Sequence, residues 1–220
     1  MRSEQNRENI LKRVRGSHEG REQRRIAMQE YISRHAQGPR PSANRDLIAR
    51  FKARALGLLS SVDEAATMEE VPRVVSRYLD QHELARDAVC WPELLDCPWR
   101  ASGINVDARA ARGDDLIGIT GAFCAIAETG TLMLLSSEKT HAVTSLLPET
   151  HIAVVKTARI VAGMEDAWSF LRTETGGLPR AVNFVSGPSR TADIEQTITL
   201  GAHGPYRVHI VLVKSEIVKE

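Results

Sequence analysis

The sequence predicts an α/β fold, a three-layer α/β/α sandwich with a mixed, mostly parallel sheet, preceded by an N-terminal helical arm. Two observations support this prediction. From about residue 87 onwards, short apolar runs typical of buried strands alternate with amphipathic helical segments, which excludes an all-β fold or a helical bundle. Before that point the pattern is helical. We predict that residues 1–60 form the helical arm and that residues 61–220, which include the last of these helices, form the α/β domain.

Four helices are predicted in the N-terminal part of the chain. In segments 2–15 and 20–36, a few apolar residues repeat at roughly helical spacing, and Gly-Pro-Arg-Pro at 38–41 ends that pattern. A third helix is predicted at about 46–58 and a fourth after Thr67, each with one apolar face. The first two helices are mostly polar, so neither can bury much surface by itself.

Strands are predicted where short apolar runs are bounded by turn residues. Runs 124–127 and 131–135 are close enough to form a hairpin, and run 151–155 is fully apolar in its middle, as in a central strand covered on both faces. Run 181–185 is likewise predicted to be buried. Helices are predicted at 164–173 and at 189–200, the second ending at Gly201. The remaining predicted strands are 88–91, 104–106, 116–120 and 206–214.

The near-neutral net charge conceals a division along the chain. The sequence holds 29 Lys and Arg against 28 Asp and Glu, a total of +1, which argues against a whole-surface nucleic-acid binder. Residues 1–54 hold 14 basic and 6 acidic residues, a balance of +8, whereas residues 55–220 hold 15 and 22, a balance of −7. We expect the basic arm to pack on its own acidic body or on a partner subunit, as in a homo-oligomer.

Neither an export signal nor a membrane span is predicted. The N-terminus is charged throughout, and no apolar run approaches the ~20 residues that a membrane helix needs. The three cysteines, Cys90, Cys97 and Cys124, form no Cys-x-x-Cys pair, so neither a zinc ribbon nor an iron–sulfur site is indicated. A cytoplasmic protein with reduced thiols is the simplest interpretation.

The first segment that could carry chemistry is 119–131, where glycines and threonines flank two short predicted strands. Glu128 is the only acid in this segment and stands where a strand meets a turn. A carboxylate there could bind a substrate hydroxyl, act as a base or attack an acyl group. It could equally accept hydrogen bonds from the backbone of the turn and hold the hairpin.

The second segment is 186–195, which follows the predicted strand 181–185 and opens the predicted helix 189–200. Ligands of open α/β sheets bind at the carboxyl ends of strands, and the N–H groups at a helix start favour an anion. The segment therefore predicts a site for a carboxylate or a phosphate. The alternative is a well-capped helix whose loop packs against the first segment.

The side chains of the second segment support and limit this prediction. Ser186, Ser189 and Thr191 supply hydroxyl groups, and Arg190 supplies a guanidinium that can bind an anion. An acidic pair in the first turns of the predicted helix, at 193 and 195, argues against a phosphate because it would repel the anion.

Among the histidines, His203 is the strongest candidate for a site, because it lies in a glycine-rich loop at 201–205. No pair of histidines has the spacing of a metal motif such as His-Glu-x-x-His, so no metal site is predicted. The alternative role of these histidines is to hydrogen-bond loops.

Three segments together resemble the lactate utilisation protein C family, also called the LUD domain. They are 118–132 (GITGAFCAIAETGTL), 145–155 (SLLPETHIAVV) and 186–205 (SGPSRTADIEQTITLGAHGP), and the resemblance covers about residues 87–214. It implies a fold similar to the sugar-isomerase and CoA-transferase superfamily, with a three-layer α/β/α sandwich. It also implies a ligand or partner site at the positions that match the family motifs. These are Thr120, Gly121, Glu128, Thr129, Gly130, Thr131, Ser186, Gly187, Ser189, Arg190, Thr191, Asp193, Glu195, His203 and Gly204.

The resemblance further implies a role in bacterial growth on L-lactate. The family is associated with an operon that also encodes two iron–sulfur proteins, which are expected to act with it in oxidising lactate to pyruvate. The iron–sulfur clusters are expected in those partners, and this chain is expected to bind no cofactor.

Three functions remain open at this point. The first is an accessory subunit of a lactate-oxidising complex that has no redox centre of its own and binds its partners, with a small carboxylate such as lactate or pyruvate, or an electron carrier, as its possible ligand. The second is a stand-alone acyl- or CoA-transferase-like or sugar-phosphate-type enzyme that uses Glu128. The third is a non-catalytic regulatory binding module.

Overall fold

The structure of the protein, a computed structural model, describes residues 2–16, 21–34, 38, 46–191, 199–201 and 203–214. The chain forms two compact units, Met1–Ser42 and Ala43–Glu220. The first unit contains α1 (Arg2–Gly16) and α2 (Arg21–Ser33), close to the two predicted arm helices. All the side chains described in these two helices are exposed, as their polar sequences predict.

The boundary between the units differs from the predicted one at residue 60. The helix α3 (Leu47–Gly57) belongs to the second unit, because Phe51 and Ala55 are fully buried in its core. Asp46 starts this helix, since its side chain accepts a 2.9 Å hydrogen bond from the backbone N–H of Ala49. The apolar face of α3 thus decides which unit it joins.

Within its described residues, the second unit contains four α-helices and twelve strands. The helices are α3, already given, α4 (Val71–Gln81), α5 (Val143–Leu146) and α6 (Met164–Thr175). The strands are β1 (Ser61–Ala65), β2 (Asp87–Cys90), β3 (Asn105–Ala108), β4 (Ile117–Gly121), β5 (Cys124–Ile126), β6 (Thr131–Leu135), β7 (Thr150–Lys156), β8 (Ile160–Val161), β9 (Val182–Val185), β10 (Arg190–Thr191), β11 (Thr199–Leu200) and β12 (Arg207–Val213).

The central sheet has six strands in the order β1-β12-β7-β4-β2-β3, and every neighbouring pair is parallel. A second sheet has the order β8-β5-β6-β9, in which β5 and β8 are parallel and the other pairs antiparallel. The predicted β5–β6 hairpin is therefore confirmed. Antiparallel pairing is confined to the smaller sheets, whereas the central sheet is parallel throughout.

Helices cover both faces of the central sheet, in agreement with the predicted three-layer fold. On one face α4 buries Val71, Val75 and Leu79 against apolar residues of β4 and β7. On the other face α3 and the inner side of the second sheet pack against the opposite side of β7 and β12. The outer side of the second sheet is covered by α6 through Ala167 and Leu171.

The predicted helix at 189–200 is wrong at both of its described ends. Residues of β10 and β11 pair as antiparallel strands instead, with Arg190 opposite Leu200 and Thr191 opposite Thr199. Threonine is enriched in strands because its branched side chain suits an extended backbone, which favours strands at Thr191 and Thr199. The argument for an anion at a helix N-terminus therefore no longer holds at Ser189. Gly201, with φ +75°, follows a strand rather than ending a helix.

Other strand predictions need correction. The segment at 181–185 is not a buried central strand: β9 is only half-buried and pairs antiparallel with β6 in the second sheet. The edge strand β1 and the two-residue strand β8 lie where no strand was predicted. β1 reads Ser-Val-Asp-Glu-Ala, so its sequence lacks the apolar run by which the other strands were recognised.

Candidate functional site

A cleft with a volume of about 830 Å³ lies at the carboxyl ends of β2, β4 and β7. From β2 the chain continues to the edge strand β3, whereas from β4 it continues in the opposite direction across the sheet to β7. Open α/β sheets bind ligands in the crevice outside such a reversal of strand order. The cleft is therefore the candidate functional site.

Glu93 enters the cleft from a short 3₁₀ turn, Pro92–Leu94, that follows β2. Its Oε1 atom occupies the space that a side chain on Gly121 would need, 1.9 Å from the position of a Cβ atom there. Although much of Glu93 is exposed, its carboxyl group loses solvation in the cleft, and this raises its pKa; Arg159 and Lys156 oppose the shift. The raised pKa favours the protonated form of this carboxyl group relative to that of a fully solvated glutamate.

Two cations lie at the carboxyl end of β7, Lys156 as its last residue and Arg159 in the turn that follows, and their surroundings differ. Arg159 is held in place: its Nε donates to the Phe123 carbonyl, its Nη2 lies 2.7 Å from Glu174 Oε2, and its guanidinium lies 4.7 and 4.6 Å from the ring centres of Phe123 and Phe170. Lys156 is exposed at the cleft, and no carboxylate in the described part of the chain lies within ion-pair distance of it. Lys156 is thus the cation that remains able to bind an anionic ligand.

Gly121→Ala tests how Glu93 is held in the cleft. The new methyl group would take the place of Oε1, so the Glu93 carboxylate must move, at little cost in stability because it is the end of a flexible side chain. We expect the raised pKa of Glu93 to fall toward its ordinary value in an NMR titration. Gly113→Ala, where nothing lies within 4 Å of the new Cβ, should leave that pKa unchanged. Equal pKa values in both variants and in the parent would contradict this placement of Glu93.

Of the residues predicted as a site, Gly121 lines the cleft. Thr120, its neighbour on β4, instead faces the interior, where its Oγ1 lies 2.8 Å from Nε2 of His151. Thr120 and His151 are both fully buried. Thr120 is therefore part of a buried polar pair between adjacent strands and cannot contact a ligand in the cleft.

Glu128 is not among the residues that line the cleft. Its backbone N–H donates to the Ala162 carbonyl over 3.0 Å, and its Oε2 lies 3.1 Å from the position of a Cβ atom on Gly163. Asp166 faces the same glycine and accepts a 2.9 Å hydrogen bond from its N–H at the start of α6. The sequence also allowed Glu128 to hold the hairpin by accepting hydrogen bonds from the backbone of the turn. No backbone amide among the described residues donates such a bond to the Glu128 carboxylate.

The structure brings parts of the two predicted segments together at the end of α3. Thr131 Oγ1 lies 2.7 Å from Ser186 Oγ. Gly130 and Gly187, both with positive φ, pack so closely on α3 that added Cβ atoms would lie 2.6 Å from the Ala55 nitrogen and 2.2 Å from the Leu58 oxygen. These residues therefore connect β6 and β9 to α3 rather than lining the cleft.

The remaining predicted residues extend this contact. Ser189 donates its N–H to Pro205 O and accepts from Gly201 N, each over 2.9 Å, and Arg190 Nη2 lies 3.5 Å from the Leu58 oxygen. An added Cβ on Gly204 would lie 3.3 Å from Ser189 Cβ, so the 201–205 loop packs on this segment. Thr129 and His203 are exposed, and Thr191 of β10 pairs with Thr199 of β11. The predicted residues Asp193 and Glu195 lie outside the described residues.

The residues that sequence reasoning missed are Glu93, Lys156 and Arg159. A signal for them was present, because Glu93 follows the predicted strand at 88–91 and Lys156 follows the one at 151–155. Carboxyl ends of adjacent parallel strands meet at one edge of a sheet. The order of strands was needed to show that these two ends lie next to each other.

The cysteines of the second unit are free thiols in the structure. Burial raises the pKa of Cys90 to about 11 and that of Cys124 to about 12, which keeps both thiols protonated. The described residues contain no group of three His, Cys, Asp or Glu side chains that could hold a metal ion.

The comparison that decides the family concerns the second unit. A family model described as the LUD domain matches residues 99–213, slightly more than half of the chain. The chain belongs to the LUD domain family. The matched part of this LUD domain includes Gly121, Lys156 and Arg159 of the cleft, whereas Glu93 precedes it.

Curated relatives carry the name lactate utilization protein C. The LUD chain is 36% identical over 121 residues to lactate utilization protein C 1 of Bacillus mycoides, covering 54% of this chain and 51% of that protein. It is 35% identical over 132 residues to the Bacillus subtilis protein, covering 54% and 55%, and 43% identical over 107 residues to the Exiguobacterium protein, covering 47% and 46%. The chain thus spans about half the length of the curated relatives it matches.

A solved structure supports the fold of this LUD domain. A DUF162 family protein from Deinococcus radiodurans superposes with a TM-score of 0.59 at 22% identity, covering 79% of this chain and 99% of that one. Among the described helices, none combines the length and the apolar character needed to cross a membrane.

Proposed function

We propose that this chain takes part in the utilisation of L-lactate and that its cleft binds a small carboxylate such as lactate or pyruvate. The names of the curated relatives support the first part. The observation that carries the second is that Lys156, exposed and without a carboxylate partner among the described residues, lines the same cleft as the Glu93 carboxyl at the switch point of the sheet. An ammonium group binds a carboxylate through charge-assisted hydrogen bonds.

Glu93 supplies the second interaction in this proposal. In its protonated form, which loss of solvation in the cleft favours, its carboxyl group donates a hydrogen bond to the oxygen on carbon 2 of the ligand. In its ionised form it accepts a hydrogen bond from a 2-hydroxyl group instead. The pair Lys156 and Glu93 therefore suits both a 2-hydroxy acid and a 2-oxo acid.

We also propose that the electrons of lactate pass to iron–sulfur partner proteins rather than to a centre on this chain. Oxidation of a 2-hydroxy acid to a 2-oxo acid requires an acceptor for two electrons. The sequence carries three widely spaced cysteines and no cysteine-rich motif of its own, which supports this division. A catalytic role for Glu128 in acyl or CoA transfer stays a prediction.

Lys156→Gln is the variant that tests the carboxylate site. Removing the charge is expected to weaken the binding of L-lactate and pyruvate by about tenfold or more, since a hydrogen bond to a charged group contributes about 1.5–3 kcal/mol. Isothermal titration calorimetry measures this loss, and growth on lactate with the variant chain measures its consequence.

Lys139→Gln is the matched control, because Lys139 is exposed and does not line the cleft. This control should bind both acids as the parent does. If both variants bind like the parent, or if the parent binds neither acid, the cleft is not a site for these carboxylates.

A further inference from the structure

We infer that the cleft favours 2-hydroxy and 2-oxo acids with a large apolar side chain over three-carbon acids. The inference deepens the proposed function and rests on it, because it uses the same carboxylate site at Lys156. Lactate and pyruvate are then the shortest members of the class that the cleft accepts.

The size of the cleft is the first argument. Its volume of about 830 Å³ lies within the range of about 300–1,000 Å³ that is usual for sites of drug-sized ligands. A three-carbon acid bound at Lys156 and Glu93 would fill only a small part of it. The remainder of the cleft is space that a longer side chain on carbon 3 of the ligand can occupy.

The second argument is the chemistry of that remaining space. Phe123 and Phe170 line the cleft with ring centres 5.2 Å apart, and Leu135 and Val154 line it as well. The Arg159 guanidinium contacts both rings and is bound to Glu174, which holds the aromatic side chains in place. These apolar side chains come from β6, β7, α6 and the residue pair after β4, and they line the same cleft as Lys156, the last residue of β7.

The third argument excludes a nucleotide as the occupant. Phosphate groups bind at helix N-termini, but none of the three strands that end at the cleft leads directly into an α-helix: β2 and β7 lead into 3₁₀ turns, and β4 leads into β5. Glu69 and Asp96 also line the cleft, and they would repel the several negative charges of a nucleotide's phosphates more strongly than the single charge of a carboxylate. A ligand with one carboxylate and an apolar body fits these charges better.

The size of the expected preference follows from burial of apolar surface. Burying the phenyl group of 3-phenyllactate even in part should strengthen its binding over lactate by about tenfold to a hundredfold. An intermediate gain is expected for 2-hydroxy-4-methylpentanoate, which has a smaller apolar side chain. The gain should depend on Lys156, because the carboxylate fixes the orientation in which the side chain meets the apolar lining.

Calorimetric titration of the full chain with L-lactate, 2-hydroxy-4-methylpentanoate and 3-phenyllactate tests the inference. 3-Phenylpropanol, which lacks the carboxylate, is the matched control ligand. Phe170→Leu should reduce the advantage of 3-phenyllactate over lactate several-fold, whereas Phe184→Leu, outside the cleft, should leave that advantage as it is in the parent. If Phe170→Leu fails to fold, the order of affinities in the parent chain still decides.

The outcomes separate this inference from the function on which it rests. Tighter binding of 3-phenyllactate that is lost in Lys156→Gln supports both. Lactate binding that depends on Lys156, with no gain from a larger side chain, overturns the inference and leaves the proposed function intact. Binding of 3-phenylpropanol as tight as that of 3-phenyllactate also overturns it. If no acid binds, the proposed ligand class is wrong and the inference fails with it.

Discussion

Gly187→Ala is expected to lower the free energy of unfolding of the second unit by about 3 kcal/mol or more. Gly187 has φ +81°, where an alanine is strained by about 1–2 kcal/mol, and the added Cβ would lie 2.2 Å from the backbone oxygen of Leu58. Because a backbone oxygen cannot swing aside as a side chain can, the segment must separate from the end of α3. Urea unfolding followed by tryptophan fluorescence measures the loss.

Gly176→Ala separates the two causes. Gly176 has φ +64° but nothing within 4 Å of an added Cβ, so this variant carries the conformational cost without the collision. We expect it to lose about 1 kcal/mol. Equal losses in the two variants would mean that the close approach of Gly187 to Leu58 does not matter for stability.

Lowering the pH is expected to destabilise the second unit already at pH values well above those at which its carboxylates become protonated. Burial lowers the pKa of His151 and of His209 to about 4, with Asp63 opposing the shift at His209. In the unfolded chain a histidine has a pKa of about 6.5, so between these values the unfolded state binds more protons. Stability is therefore full above about pH 6.5 and falls as the pH drops toward 4.

The expected loss is about 2 kcal/mol for each histidine between pH 8 and pH 5, or about 4 kcal/mol together. Urea unfolding at a series of pH values measures it. His151→Gln keeps a nitrogen near Thr120 Oγ1, and His209→Asn keeps one near Ser61 Oγ, which now lies 2.9 Å from His209 Nδ1. Each variant should be less stable at pH 8 and should lose about half of the pH dependence. An unchanged pH profile in both would show that these histidines are not the cause.

The fold could be predicted where a local pattern matches the tertiary surroundings. Strand β7 is apolar along most of its length because the central sheet is covered on both faces, and α4 carries an apolar face because it packs on one of them. Prediction failed where the surroundings override the pattern. A helix was predicted at 189–200, yet Arg190 and Leu200 pair as strands.

The candidate site was harder to predict than the fold. The segments that identify the family are continuous in sequence, and several of their residues, such as Thr131, Ser186 and Gly187, connect strands to α3. The cleft is instead built around single residues at or just after the carboxyl ends of three separate strands, β2, β4 and β7. Glu93 and Lys156 are 63 positions apart in the sequence, and neither belongs to a local motif.

The sequence by itself determined the α/β class, the helical arm, the division of charge and the resemblance to the LUD domain, because each of these is expressed in local composition or in a continuous segment. Only the tertiary structure decided that α3 joins the second unit, that Thr120 faces His151, and that Glu93, Gly121 and Lys156 meet in one cleft. The physical reason is that the order of parallel strands is set by packing between distant segments. That order alone places the carboxyl ends of β2, β4 and β7 side by side.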